Sequence, residues 1–172
     1  MQVRKIKDSD AKSYLKLCET IDEESEFMLF EPGERKLHAQ RQIKQIESGM
    51  CEVFVCAADD GSLIGYVAAA KGQVQRARHR AHVVIGIRQA YIGQGIGVKL
   101  FQALEKWACE EKIHRLELTV MTHNTAAVRL YKKTGFIIEG TKKHALKVKG
   151  QYVDEYVMSK LINEQQREVS NE

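Results

Sequence analysis

A buried-looking apolar run, Ala81 to Ile87 (AHVVIGI), leads into a turn that carries Gly93, Gly95 and Gly97, and the turn opens directly into a helical pattern. From Gly95 to Lys112, Leu100, Phe101, Leu104, Trp107 and Ala108 fall three, four or seven apart, the stripe of an amphipathic helix. This strand, glycine turn and helix restrict the fold more than any other feature of the chain. The first N–H groups of such a helix have no intrahelical partner, its dipole points at the turn, and glycines let a ligand approach the backbone closely. The geometry suits an anion, and a pyrophosphate fits it.

Two familiar phosphate loops do not match. A P-loop requires Lys and then Ser or Thr after its last glycine, but Gly97 is followed by Val98-Lys99-Leu100. A dinucleotide fingerprint beginning at Gly95 requires Gly or Ala where Leu100 stands, and the strand order is not a run of βαβ units. Taken alone, the glycines are also consistent with nothing more than a tight turn and close packing.

Strand and helix signals continue on both sides. Val3 to Ile6 reads as a strand, and Asp8 offers a capping oxygen to a helix with Ala11, Tyr14, Leu15 and Cys18 on its apolar side, ending near Ile21. Glu34 to Ser48 predicts a second helix, supported by Leu37, Ile43 and Ile46 and followed by Gly49. Cys51 to Ala58 and Leu63 to Ala70 are strand-like runs joined by Asp59-Asp60-Gly61-Ser62, so they should pair antiparallel. Arg115 to Val120 is a further strand, and Thr125 to Thr134 a short helix stopped by Gly135. Phe136 to Ala145 and Gln151 to Leu161 read as two strands around a Lys149-Gly150 turn. The order predicts an α+β or mixed α/β fold with a largely continuous sheet.

Composition sets outer limits. The 172 residues are 44% hydrophobic, enough for one domain's core, and 27 Lys plus Arg against 23 Asp plus Glu leave a net charge of +4. That excess is small for a nucleic-acid protein, and the Arg76, Arg78, His79, Arg80 cluster has no interleaved aromatic residue for base stacking. The single proline, Pro32, excludes Pro-rich linkers. Cys18, Cys51, Cys56 and Cys109 are scattered without a Cys-x-x-Cys pair, which predicts buried reduced thiols and no metal site. The N-terminal MQVRKIKDSD is charged where a signal peptide would be apolar, and no stretch reaches the roughly 18 apolar residues that span a bilayer. A cytoplasmic protein with no membrane or nucleic-acid partner is expected.

Read with the glycine turn, Ile92-Gly93-Gln94-Gly95-Ile96-Gly97, the later segment Asn124-Thr125-Ala126-Ala127-Val128-Arg129-Leu130-Tyr131-Lys132-Lys133-Thr134-Gly135-Phe136 resembles the GCN5-related N-acetyltransferase (GNAT) superfamily. One departure is Ile92, which stands where the family usually has Gln or Arg. The resemblance implies a single domain over residues 1–162, with a central, largely antiparallel twisted sheet of about seven strands flanked by about four helices, and a polar tail over residues 163–172. It implies acetyl-CoA (coenzyme A) as donor and an amine as acceptor. The pantetheine arm would follow the strand ending at Ile85-Gly86-Ile87 as an extended chain along an open edge. The pyrophosphate would sit on N–H groups of Gly93, Gln94, Gly95, Ile96, Gly97 and Val98, with Arg88, Lys99, Arg129, Lys132 and Lys133 as candidate counter-charges. Asn124 corresponds to a family asparagine that contacts the cofactor, and it can also cap the helix that follows.

Acyl transfer needs a neutral amine, stabilisation of an oxyanion and a proton for the departing thiolate. Tyr131 corresponds to the family tyrosine near the sulfur, so it is the expected general acid. For the base, Glu117 is the named candidate, with His82, a carboxylate from the Asp22 to Glu34 stretch and a chain of waters left open; His82 also reads as an ordinary core histidine. That stretch holds six carboxylates in thirteen positions, and Glu23, Glu24, Glu26 and Glu31 are its candidate contacts to a cationic acceptor. The sequence reading is thus direct acetyl transfer in a ternary complex to a polyamine, another small amine, or a protein or peptide N-terminus. A non-catalytic acetyl-CoA sensor is the alternative, and a homodimer is left open.

Overall fold

In the computed structural model, which describes residues 1–162 apart from the Leu37 side chain, the apolar runs become one mixed sheet, and the tail assigned to residues 163–172 lies outside the described residues. Its strands are β1 (Gln2–Lys5), β2 (Cys51–Ala57), β3 (Leu63–Lys71), β4 (Arg80–Ile87), β5 (Arg115–Met121), β6 (Ile137–Val148) and β7 (Gln151–Leu161). They lie in the order β1-β2-β3-β4-β5-β7-β6. Every neighbouring pair is antiparallel except β4 and β5, which run parallel. The helices are α1 (Ala11–Glu24), α2 (Ala39–Glu47), α3 (Ile96–Glu110) and α4 (Thr125–Lys133). The fold is the expected mixed α/β arrangement. Among the described residues, no helix is long and apolar enough to cross a membrane.

The period of two along each strand divides the core. Phe54 and Cys56 of β2 and Val67 and Ala69 of β3 pack with Leu100, Phe101, Leu104 and Trp107 of α3. Val53 and Val55, with Leu63 and Tyr66, pack instead with Tyr14, Leu17, Cys18 and Ile21 of α1. So α3 and α4 cover one face of the sheet and α1 and α2 the other. Along β4 the α3 face takes Ala81, Val83, Ile85 and Ile87. Gly86 points the other way, where a Cβ would lie 2.7 Å from the Tyr66 ring and 3.2 Å from Ile21. His82 and Val84 share that direction and are exposed.

Three local readings need correction. Asp10, not Asp8, stands at the N-cap of α1, and its side chain makes no bond into that helix: the carboxylate accepts the Lys7 N–H at 2.8 Å and holds the Arg4 guanidinium at 2.6 and 3.0 Å. Helix α1 runs past Ile21 to Glu24, with the Ser25 N–H donating to the Ile21 carbonyl at 3.0 Å. The extra turn is held because Asp22 is buried against Arg35, whose Nε and second guanidinium nitrogen donate to its two oxygens at 2.6 and 3.0 Å. Only Cys18 and Cys56 are buried, while Cys51 and Cys109 are half-buried; burial pushes the Cys18 and Cys51 thiols up to about 11.

The Asp22–Arg35 pair ties the start of the α1–α2 connection to the helix it leaves. Arg35→Met should strand a buried carboxylate and cost about 3–5 kcal/mol in urea unfolding. The double change Asp22→Leu with Arg35→Met should recover most of that loss, because no charge is then left buried.

Candidate active site

Strand β4 pairs with β3 from Ala81 to Ile87. With β5 it pairs only at Arg80↔Arg115, Ala81↔Leu116 and His82↔Glu117. Beyond that point β5 follows β7 as far as Met121↔Glu155, and β4 follows β3. The two parallel strands therefore part into a V whose edges are Val83 to Ile87 and Leu118 to Met121. Open edges of this kind present unpaired N–H and C=O groups that an extended amide chain can satisfy. Ile85, Gly86 and Ile87 lie on one of these edges.

The glycine turn stands at the open end of β4. Gly93 and Gly95 have φ of +83° and +77°, where a side chain would be strained, and Gly95 is the residue that starts α3. Gly97 serves a different purpose: a Cβ there would lie 2.6 Å from Leu130 Cδ2, so its absence lets α3 and α4 approach closely. Among the described residues, the N–H groups of Gly93, Gln94, Gly95, Ile96, Gly97 and Val98 donate to no protein acceptor, and the first helical return bond is Lys99 N–H to the Gly95 carbonyl at 3.3 Å. A concave row of free N–H groups at the positive end of a long helix fits a diphosphate. Ile92, at the position of the family's Gln or Arg, is 59% exposed beside this row.

Helix α4 supplies the other wall. Asn124 caps it, its Oδ1 accepting the Ala127 N–H at 3.2 Å. Tyr131 faces inward, edge-on to Phe101 with ring centroids 5.8 Å apart and tilted against Phe136 at 6.1 Å. Burial raises its phenol above the usual range, so it stays protonated at neutral pH. Among the described residues nothing hydrogen-bonds its hydroxyl, which leaves a buried donor without a partner in the protein. The free amide row, the open strand edges and this unpartnered phenol together fit a bound coenzyme A thioester.

The sequence candidates divide into two groups. The turn residues stand at the open end of the V and Tyr131 on the helix packed against them at Gly97, whereas the acidic stretch does not stay available as a cluster of free charge. Glu24 accepts from Arg88 at 2.9 Å and from the Gln89 N–H at 2.8 Å, and Arg88 holds its carboxyl below the usual range. Two residues expected at different ligands, Arg88 for phosphate and Glu24 for the acceptor, therefore hold each other. Glu26 pairs with Lys149 at 2.8 Å. Glu34 accepts the Glu31 N–H at 3.1 Å. Glu23 and Glu31 alone among the four named candidates keep carboxylates without a cation partner among the described residues. Glu117 lies at the closed end of the V, one oxygen 2.8 Å from Arg115 Nε and the other 3.6 Å from Arg80. Arg115 also reaches Glu139, which accepts from Ser159 at 2.6 Å; these contacts lower the Glu139 carboxyl to about 2.

A cleft of about 530 Å³, unmarked in the sequence reading, lies next to the end of β5. Glu26, Thr122, His123, His144, Lys149 and Asp154 are among the residues that line it. The Glu26–Lys149 pair joins the α1–α2 connection to the β6–β7 hairpin across this cleft, and Phe27 packs on His123 with ring centroids 5.2 Å apart. Its residues come from three separated segments, so no short motif announces it.

The acetyltransferase (GNAT) family model matches residues 16–136. The chain is 33% identical over 118 residues to the L-amino acid N-acetyltransferase AaaT of Escherichia coli, covering 66% of this chain and 69% of that protein. It is also 33% identical over 106 residues to the N-alpha-acetyltransferase RimI of Mycobacterium tuberculosis, covering 61% and 63%. A GNAT-family acetyltransferase structure from Streptococcus pneumoniae superposes with a TM-score of 0.80 at 29% identity, over 94% of this chain and 99% of that one. The fold also matches yncA of Salmonella typhimurium, solved with acetyl-CoA, with a TM-score of 0.83 at 17% identity over 95% of each chain.

Gly95→Val places a β-branched residue at φ +77° and should rotate the amide row out of line. Calorimetric affinity for coenzyme A should fall at least about tenfold, the loss of one good charge-assisted contact. Unchanged affinity would remove the turn as the diphosphate site.

Proposed function

The chain belongs to the GNAT family of acetyltransferases, which take acetyl-CoA as donor, and on that premise we propose that it acetylates the primary amine of an amino acid or a peptide N-terminus by direct transfer in a ternary complex. The observation that carries this reading is the V between β4 and β5 with a row of free N–H groups at its open end, together with the unpartnered Tyr131 hydroxyl on α4, the helix packed against the turn at Gly97. In the proposal, Gly93 to Val98 hold the diphosphate, Ile85 to Ile87 align the pantetheine, and the second face of Asn124 contacts the same arm. Tyr131 gives its proton to the departing thiolate. A protonated, desolvated phenol is suited to that step, because the burial that keeps it neutral also strengthens its hydrogen bond to a developing anion.

The choice among acceptors follows from the charges. A polyamine site needs several carboxylates without partners, but Asp22, Glu24 and Glu26 are each paired with a cation of this chain. The cleft at the end of β5 carries both signs, Asp154 and the Glu26–Lys149 pair, with the rings of His123 and His144 beside them. A peptide chain resting on such a lining, with its terminal amine reaching inward to the point where β4 and β5 part, matches it better than a polycation does. The names of the relatives, an L-amino acid and an N-alpha acetyltransferase, support the same class.

The test is thiol release from acetyl-CoA against a panel of amino acids, short peptides with free N-termini, and polyamines. Turnover is expected with the first two groups and little with spermidine. Preference for spermidine would overturn the acceptor assignment, and tight acetyl-CoA binding with no turnover on any amine would mark a sensor instead. In the same assay Tyr131→Phe should lower kcat by about 10²-fold or more while leaving acetyl-CoA affinity within a few-fold. Equal kcat would remove Tyr131 as the acid.

A further inference from the structure

We propose that His82 is the general base, taking a proton from the acceptor ammonium, directly or through one water, on the face of the sheet opposite Tyr131. This rests on the proposed acetyl transfer to an amine. His82 is the last β4 residue paired with β5, so it stands where the strands begin to part. Its neighbours Ala81 and Val83 are buried on the α3 side with Tyr131, at 0% and 3% exposure. The strand alternation therefore turns the His82 ring to the other face, together with Val84 and Gly86. His82 is exposed on that face as a residue, with enough protein around the imidazole to desolvate it in part. It is not the satisfied core histidine that an apolar strand suggests. Among the described residues, no hydrogen bond or ion pair engages the imidazole, so both nitrogens remain available.

The charged groups around His82 come from three other strands and its own. Glu117 lies opposite it on β5, Glu155 on β7 and Lys142 on β6, with Lys142 3.9 Å from Glu155. Arg80, two residues earlier on β4, reaches Glu117, as does Arg115. Crowding by the surrounding protein lowers the imidazole below its ordinary 6.5, while the Glu117 and Glu155 carboxylates pull the other way. A ring that is neutral at physiological pH has a lone pair to accept a proton, and two nearby carboxylates steady the imidazolium that results. Glu117 itself faces guanidinium groups at both oxygens, which suits it to positioning and charge support rather than to receiving the proton. Of the acidic stretch, Glu24 and Glu26 are held elsewhere.

The proton balance is as follows. The ammonium loses one proton to His82, and the freed nitrogen lone pair forms the C–N bond at the thioester carbonyl carbon. Collapse of the oxyanion breaks the C–S bond, and the thiolate takes the Tyr131 proton. The second proton leaving nitrogen restores the phenol through solvent, and His82 returns its own to water. The sum is ammonium plus thioester giving amide, thiol and one proton.

The experiment measures kcat and kcat/KM against pH for the full chain with acetyl-CoA and the best amine of the panel. Neutral imidazole is the active form, so wild-type kcat/KM, which reports the free enzyme, should rise with pH through a midpoint below 6.5. In His82→Gln, kcat should fall by about 10²-fold or more, and the acid limb should move up toward the ionisation of the bound ammonium. Acetyl-CoA affinity and melting temperature should stay unchanged. Added imidazole should restore part of the rate of His82→Ala. A His82→Gln enzyme within twofold of wild type and with the same limb would overturn His82 and leave acetyl transfer standing. Loss of the limb in Glu117→Gln but not in His82→Gln would assign the proton to Glu117 instead. A wild type that acetylates no amine would overturn the transfer reading and this inference with it.

Discussion

A strand has two edges, and in β4 only one of them is paired over the whole length. β3 holds β4 from Ala81 to Ile87, β7 holds β5 from Arg115 to Met121, and the parallel contact between them ends after His82↔Glu117. Unpaired backbone inside a protein is costly unless something satisfies it. Here the gap opens toward the free N–H row at the start of α3, so an extended, diphosphate-bearing chain can satisfy both at once. The closed end is braced by charge: Arg115 bridges Glu117 on its own strand and Glu139 on β6, and Arg80 approaches Glu117 from β4. These contacts tie the strands together where pairing stops.

The cradle at the other end depends on two contacts that do not touch a ligand. Gly97 lets α3 approach Leu130 of α4, which brings the wall carrying Tyr131 beside the amide row. Glu24, from the last turn of α1, accepts from both Arg88 and the Gln89 N–H and so pins the segment that enters the glycine turn. α1 lies on the opposite face of the sheet from α3. The Glu24 contact thus couples the two faces of the sheet, and the positive-φ glycines need such pinning because their own conformational freedom is wide.

What was legible in the sequence was local. The amphipathic stripe of α3, the glycine turn, the Asn124 cap and the Gly135 stop each depend on residues within a turn or two of one another, and each stands where the pattern put it. The misreadings concern distant partners. Asp22 to Glu34 reads as an acidic loop because its cations stand elsewhere: Arg35 is 13 positions from Asp22, Arg88 is 64 from Glu24, and Lys149 is 123 from Glu26. Without those partners α1 seems to end at the first carboxylate. The cleft beside His123 and the outward turn of His82 were hidden for the same reason, since strand register and hairpin placement decide them.

The charge balance follows from this pairing. The sequence suggests opposed fields, acidic in the N-terminal half and basic in the C-terminal half, within a total of +4. Ion pairing removes three of the six carboxylates between Asp22 and Glu34 from that picture and takes Arg88 and Lys149 with them. Lys99, Arg129, Lys132 and Lys133 are exposed on α3 and α4. Exposed single cations contribute little to stability, but several of one sign beside a concave row of amide dipoles raise the local concentration of an anionic ligand and speed its capture. The field therefore selects the donor, which carries phosphates. Under the proposed function the acceptor is then chosen at short range, by shape and paired polar groups in the cleft of mixed charge, which would favour a ligand that itself carries both signs.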